Sequence, residues 1–350
     1  MSKKILMCGN DACGEGAALA GCKLYAGYPI TPQNELTAYM SKRMPQAGGV
    51  FVQAESELAA INMVFGASVA GARAMTSSSS PGISLKQEGI SYLAGCELPA
   101  VIVNMQRGGP GLGNIAPAQG DYFQAVKGGG HGDYKSIVLA PASAQELLDY
   151  TFMAFDLADK YRNPVIVLGD GLLGQMMEPV SIKADSMKPA IVDKPWALTG
   201  CQGRKPRFIR SLLLFEGMLE EHNKRLQEKY KSIKKAEVRY EAFNLRDSEI
   251  VIVAYGSMAR VAKAAMEIAR AKGLKAGLIR PITLWPFPEK AIGDAALKAR
   301  KFLVVEMSAG QMVEDVMLAV KGKAEVDFYG RMGGGVPSEA EIVAKLESLK

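Results

Sequence analysis

Four short stretches of this chain set polar side chains where an apolar run gives way to a turn. "YPITP" holds Thr31 between Pro29 and Pro32. A proline fixes its own φ and pushes the residue before it toward extended geometry, so Tyr28 and Thr31 are both held extended. A hydroxyl on so stiff a corner suits hydrogen bonding to a carbonyl, although P-x-T-P alone is usually a rigid strand-to-helix turn with Pro32 in the helix's first turn. "QAESE" sets Glu55 and Glu57 at a strand-to-helix junction. A carboxylate there either serves the helix macrodipole or hydrogen-bonds a ligand nitrogen from a sheltered edge. "TSSSSPG" brings Ser77 to Ser80 up to a helix start at Pro81, offering hydroxyls and backbone N–H groups to an anion or polar ligand. "QRGGPGLGN" puts Arg107 ahead of a glycine-rich loop, where a guanidinium can clamp a carboxylate bidentately or sit in a surface ion pair.

Other chemistries fit poorly. The serine run lacks G-x-S-x-G, and the two histidines, His131 and His222, leave little for a nucleophile's base. The glycine loop lacks G-x-G-x-x-G and, with Pro110, reads as a loop rather than a dinucleotide-binding helix start. The five cysteines, Cys8, Cys13, Cys22, Cys96 and Cys201, contain no C-x-x-C pair, which argues against a disulfide framework and against a zinc or iron–sulfur site in this chain.

These stretches need elements to position them. Apolar runs at "KKILMC", "KLYAGY", "VFVQA", "RAMTSS", "PAVIVNMQ", "SIVLAP" and "PVIVLGD" alternate with helically spaced segments such as "ESELAAINMVFGASVAG". Strands apolar on both faces and alternating with helices indicate a parallel sheet covered on both sides. Ligands of such sheets bind beyond the carboxyl ends of the strands, and the polar stretches all fall there. The pattern predicts a first domain over residues 1–192 and a basic helical connector over 193–247. In the connector Phe215, Met218, His222, Leu226, Tyr230 and Ile233 would form one packing face. A second α/β domain is expected over 248–350, from "EIVIVAYG" to "EVDFYG" and a final helix.

The net charge of +6 is localised, because residues 201–240 hold eleven Lys/Arg against five Glu. Neither aromatic interleaving nor a reader motif accompanies it, so a solvated helix face is expected rather than a nucleic-acid surface. No apolar run would cross a bilayer, and the start "MSKKILMCGN" is too short in its apolar part for a signal peptide, so a cytoplasmic protein without a membrane partner is expected.

Together "GYPITPQNE", "VFVQAESELAAINMVFGASVAGARAMTSSSSPGISLKQEGISYLAG", "VIVNMQRGGPGLGN" and "GGGHGDY" resemble the alpha subunit of the 2-oxoacid:ferredoxin oxidoreductases, nearest the 2-oxoisovalerate branch. "VAYGSMARVAKAA", "RPITLWPFP" and "VVEMSAGQM" resemble a transketolase C-terminal domain. The resemblance implies an α/β fold, with a pyrimidine-binding domain for thiamine diphosphate followed by that C-terminal domain. It implies oxidative decarboxylation of a 2-oxo acid, transfer of the acyl group to coenzyme A, and electrons passed to ferredoxin. By resemblance Glu57 contacts the pyrimidine N1′ nitrogen, Thr31 and Arg107 contact substrate, and Pro29, Ser79 and Gly82 join Glu57 around the cofactor. "GDG" at residues 169–171 is similar to a thiamine diphosphate signature, but the next asparagine after Asn163 is Asn223, far outside the expected window. Magnesium, the diphosphate site and [4Fe-4S] clusters are therefore expected in partner chains: a thiamine-diphosphate-binding beta subunit, a gamma subunit and a ferredoxin-like delta subunit.

Three alternatives remain open. One is a 2-oxoglutarate-specific enzyme of the same family, which would need a second cation; Lys86 and Lys127 are nearby, but neither has a clear reason to face inward. Another is a non-redox synthase or decarboxylase of the transketolase type. The third is a non-catalytic scaffolding subunit, disfavoured by the joint presence of Glu57, Thr31 and Arg107.

Overall fold

A computed structural model describes residues 4–182 and 187–350 of the chain. The start of the stretch read for a targeting signal and part of the proline-bearing stretch after residue 178 lie outside the described residues.

In chain order the first part contains β1 (Lys4–Cys8), α1 (Gly9–Leu19), β2 (Leu24–Gly27), α2 (Asn34–Gln46), β3 (Val50–Gln53), α3 (Glu57–Val69), β4 (Ala74–Ser78) and α4 (Ser80–Gly95). It continues with β5 (Ala100–Gln106), β6 (Ile137–Leu139), α5 (Ala144–Tyr161), β7 (Pro164–Asp170), α6 (Gly171–Gln175) and β8 (Met177–Ser181). After α7 (Met218–Ala236) come β9 (Tyr240–Phe243), β10 (Ile250–Val253), α8 (Gly256–Ala271), β11 (Ala276–Pro281) and β12 (Thr283–Trp285). The chain closes with α9 (Glu289–Ala295), β13 (Lys301–Glu306), α10 (Met312–Val320), β14 (Glu325–Gly330) and α11 (Glu339–Ser348).

The larger sheet runs β12-β6-β7-β5-β4-β2-β3 and is parallel except for β12. Its central strands β4, β5 and β7 are buried at every residue, as runs apolar on both faces require. Each fully buried Val, Ile or Leu there contributes about 1.5–3 kcal/mol relative to exposure. Helix α1 packs closely on α5: a Cβ on Gly16 would lie 2.3 Å from the Leu148 carbonyl oxygen, so only glycine permits that approach. The smaller sheet, β14-β13-β10-β11-β9, is parallel apart from β9.

Four expectations change. The run "KKILMC" forms β1, but it pairs antiparallel with β8 outside the main sheet; Ile5 and Leu6, on opposite faces, are both exposed, and only Met7 and Cys8 at its end are buried. Pro32 lies in the turn before α2, whose N-cap is Gln33, not in the helix's first turn. Residues 193–247 are helical only in α7, and β9 within them pairs with β11. On α7 Leu226, Tyr230 and Ile233 are buried, whereas Met218 at its start and Phe215 before it are exposed. Finally, "RPITLWPFP" sends β12 back to pair with β6, so the two sheets interlock rather than join by one linker. The basic character of α7 is met by near-neighbour pairs, Lys224 with Glu220 and Glu221, and Lys231 with Glu228. Among the described residues, no helix is long and apolar enough to cross a membrane.

Candidate active site

The carboxyl ends of β2 to β5 face one way and deliver the polar stretches to one place, as a parallel sheet must. Ser56 caps α3 by accepting from the Ala59 N–H at 3.1 Å, which starts that helix at Glu57. The start fixes the two acids differently: Glu57 turns inward and is only 5% exposed, while Glu55 is exposed on the loop. Opposite stands α4. A Cβ on Gly82 would lie 2.5 Å from Glu57 Oε1 and 2.1 Å from Ser78 Oγ, so this glycine lets the two elements close on the carboxylate. Among the described residues the Glu57 carboxylate has no hydrogen-bond partner, and Ser78 Oγ and Ser79 Oγ are buried without one.

The serine turn links Glu57 to Arg107. Ser80 Oγ accepts from the Arg107 backbone N–H at 3.0 Å and donates to Asp121 at 2.6 Å; the Asn104 amide donates to the same carboxylate at 2.8 Å. Burial pushes Asp121 up from the ordinary carboxylate range. Asn104 Oδ1 also accepts from the Ser80 N–H, so the helix start is less free for an anion than the sequence suggested. The guanidinium of Arg107 donates to the Thr31 carbonyl at 3.0 Å and to the Leu112 carbonyl at 2.9 Å. Its Nε is buried with no acceptor. Thr31 and Arg107 are thus brought together, but through the threonine carbonyl; the Thr31 hydroxyl accepts from Asn34 at 3.1 Å. Pro29 is exposed on the rim beside them. Beneath the turn Ser77 donates to Gln33 at 2.6 Å and meets the Tyr25 hydroxyl, which fastens "YPITP" to "TSSSS".

Lys86 departs from expectation: it faces inward, is fully buried, and donates to Thr76 Oγ1 at 2.8 Å. Lys127 is turned outward in an ion pair with Asp315. Asp170 of "GDG" caps α6, accepting from the Leu173 N–H at 3.0 Å, and its other oxygen accepts from Ser257 at 2.5 Å. Both of its oxygens are therefore used inside the chain. Burial raises Cys8 to about 11 and Cys13 and Cys22 to about 12, which keeps these thiols protonated.

Sequence reasoning missed Asn104, Gln106 and Asp121. The first two had a signal: polar residues inside a run buried on both faces must find partners. Asp121 had none, because its role depends on a loop folding back over β5.

A buried carboxylate without a donor, two orphaned hydroxyls and a close approach at Gly82 that a methyl group would block suit a planar nitrogen heterocycle carrying donors. Residues 15–242 match the thiamine-diphosphate-binding family described as pyruvate flavodoxin/ferredoxin oxidoreductase, and residues 248–342 match pyruvate:ferredoxin oxidoreductase core domain II. The ketoisovalerate oxidoreductase subunit VorB of Methanothermobacter thermautotrophicus is 53% identical, over 97% of this chain and 96% of its own length. The 2-oxoglutarate synthase subunit KorA of Archaeoglobus fulgidus is 41% identical, over 93% of this chain and 95% of its own. Among solved structures, the 2-oxoglutarate:ferredoxin oxidoreductase of Magnetococcus marinus, with 2-oxoglutarate, coenzyme A and succinyl-CoA bound, superposes with a TM-score of 0.89 at 28% identity. It matches 99% of this chain, which spans 65% of that longer one. The chain belongs to the 2-oxoacid:ferredoxin oxidoreductases, as an alpha-type subunit that carries the family's thiamine-diphosphate-binding domain.

Proposed function

We propose that this subunit serves the oxidative decarboxylation of an apolar, branched 2-oxo acid such as 2-oxoisovalerate, with coenzyme A as acyl acceptor and ferredoxin as electron acceptor. The observation that carries the substrate class is the state of the cations. Arg107, which we assign to the substrate's own carboxylate, is held by the Thr31 and Leu112 carbonyls, while Lys86 is sealed inside the fold and Lys127 is paired with Asp315. A 2-oxoglutarate site must satisfy a second carboxylate, and burying one unpaired costs several kcal/mol. The VorB name and higher identity of the first relative support the same reading.

Bound thiamine diphosphate would supply the carbanion chemistry that breaks the bond to the departing carboxyl group. The chain's own residues orient and protonate. Glu57 meets the pyrimidine nitrogen from a site with little water, where a carboxylate holds or moves a proton most effectively. Gly82, Ser78 and Ser79 form the wall behind it. Arg107 offers its buried Nε and a terminal nitrogen to the substrate carboxylate, which takes the place of the Leu112 carbonyl. Thr31 holds the substrate's 2-oxo oxygen.

A beta subunit supplies the diphosphate and magnesium half of the site, and gamma and ferredoxin-like delta subunits supply iron–sulfur clusters, all in the cytoplasm. Exposed apolar side chains on α3 and α4 support the first contact: Leu58 and Met63 on α3, the helix that Glu57 opens, and Leu85 and Tyr92 on α4. An obligate interface over them would bury on the order of 2,000 Å² or more. The test is kcat/KM of the assembled enzyme for 2-oxoisovalerate and for 2-oxoglutarate with a viologen or ferredoxin acceptor. A preference of tenfold or more for 2-oxoisovalerate is expected; the reverse preference overturns the apolar pocket.

A further inference from the structure

Lysine is almost never fully buried unless it is paired, and Lys86 is completely buried. Its ammonium donates to one neutral hydroxyl, Thr76 Oγ1, which cannot balance a charge. Along the same helix–strand contact lies a second buried group with the opposite deficiency: Glu57 is a carboxylate with no donor among the described residues.

The geometry relates the two. Helix α4 runs back over β4, so that Gly82 lies against Ser78 and, one turn on, Lys86 lies against Thr76. Residues i and i+4 share a helix face, as i and i+2 share a strand face. The Glu57 carboxylate rests at the Gly82 end of this contact, and Lys86 occupies the next layer inward. Helix α4 packs on α3, β5 and β7, and of the charged groups there Glu57 is the one that acts on Lys86. The other buried carboxylates of this layer, Asp121 and Asp170, are held by Ser80 and Asn104, and by Ser257. Lys86 makes no direct ion pair with Glu57, so both carboxylate oxygens stay available to a ligand.

We propose that Lys86 is a positioning residue for Glu57: from the layer behind Gly82 it supplies the countercharge that holds the buried carboxylate turned toward the cofactor. The proposal rests on the reading that Glu57 faces the pyrimidine. Burial lowers Lys86 to about 7 even with Glu57 pulling it up, so below that pH the ammonium is charged and the carboxylate is held.

The experiment compares wild type, Glu57→Gln, Lys86→Met and the double variant in the assembled enzyme, by thermal unfolding and by infrared spectroscopy at pH 6 with labelled glutamate. Each single variant strands one buried charge and should lower Tm by about 5 °C or more, while the double variant loses clearly less than the sum. Lys86→Met should show a protonated-carboxyl stretch that is absent from wild type and from the double variant. Additive Tm losses with no such band would overturn the proposal, leaving Lys86 a packing residue bonded to Thr76. If Lys86→Met does not assemble, Lys86→Gln keeps a donor for Thr76 and carries both readouts. Should the coupling hold while Glu57→Gln leaves exchange of the cofactor's C2 proton normal, the charge pair stands and the placement of Glu57 at the pyrimidine falls.

Discussion

Glu57 and Glu306 are both buried carboxylates at a strand-to-helix passage, one in each half of the chain: Glu57 opens α3 and Glu306 ends β13 ahead of α10. Their surroundings differ. Glu306 accepts from the backbone N–H groups of Gln311, Met312 and Val313 at 3.0–3.2 Å and from the Ser308 hydroxyl at 3.0 Å. Glu57 accepts from nothing among the described residues, and buried hydroxyls beside it are equally unpartnered. Polar groups around the second strand ends serve docking: Gln119 bonds the Tyr255 carbonyl and both backbone groups of Met307, and Ser257 bonds Asp170. The two carboxylates thus differ in whether they are already satisfied. Because an unpaired buried polar group costs about 1–3 kcal/mol, the unsatisfied end is the one built for a ligand.

The sharpest way to break this comparison is to neutralise each acid in turn. Glu57→Gln should act chiefly on turnover, which should fall about 10²–10⁴-fold, the usual contribution of a positioned proton-transfer group, beyond the Tm loss expected from leaving Lys86 without its countercharge. Exchange of the cofactor's C2 proton in the assembled variant is the direct check, and Glu55→Gln, on the exposed loop, serves as the control with near-normal exchange.

Next in size is Arg107→Lys. The ammonium keeps the charge but cannot bond the Thr31 carbonyl, the Leu112 carbonyl and a carboxylate with planar geometry. We expect kcat/KM for the 2-oxo acid to fall about tenfold or more, mainly through KM, with calorimetric affinity for the cofactor unchanged. Thr31→Val should instead act chiefly on kcat, and steady-state kinetics on the two variants separate these roles.

Glu306→Gln should cost stability without the loss of turnover expected for Glu57→Gln. An amide retains one acceptor and turns a donor toward backbone N–H groups, so stability should fall by about 1–3 kcal/mol while turnover per folded molecule is retained. Denaturant titration beside active-site counting measures both.

A further expectation concerns pH dependence. Lys86 is lowered by burial to about 7 from the ordinary lysine value of 10.5, so between those values the unfolded chain binds the extra proton. Stability of wild type relative to Lys86→Met must then rise with pH from about 7 and level off above 10.5. Tm measured across that window should show this slope; a flat difference would mean that Lys86 is not depressed in the folded chain.

Lys86 also marks where the sequence could have been read further. Gly82, Ile83, Lys86, Ile90 and Leu93 fall on one helical stripe, and that stripe is the buried one. The spacing alone therefore placed the lysine inward. What the spacing could not supply was the reason to bury it, because the compensating acid comes from another helix. Glu57 and Glu55 illustrate the converse: two residues apart at a helix start, they were indistinguishable as carboxylates until the Ser56 cap set the helix phase.

By itself the sequence determined the order of strands and helices, the stacking of polar stretches at strand ends, and the family. Each of these follows from local periodicity or from contiguous residues. Tertiary structure alone decided which polar groups were left without partners, because satisfaction depends on atoms far apart in the chain. It decided that Arg107 would be held by Thr31, 76 residues away, and that Asp170 would be spent on Ser257, 87 residues away. It also decided that β12 would return to the first sheet. A strand's register is set by where its apolar residues can be buried, and that is known only once the other strands are in place.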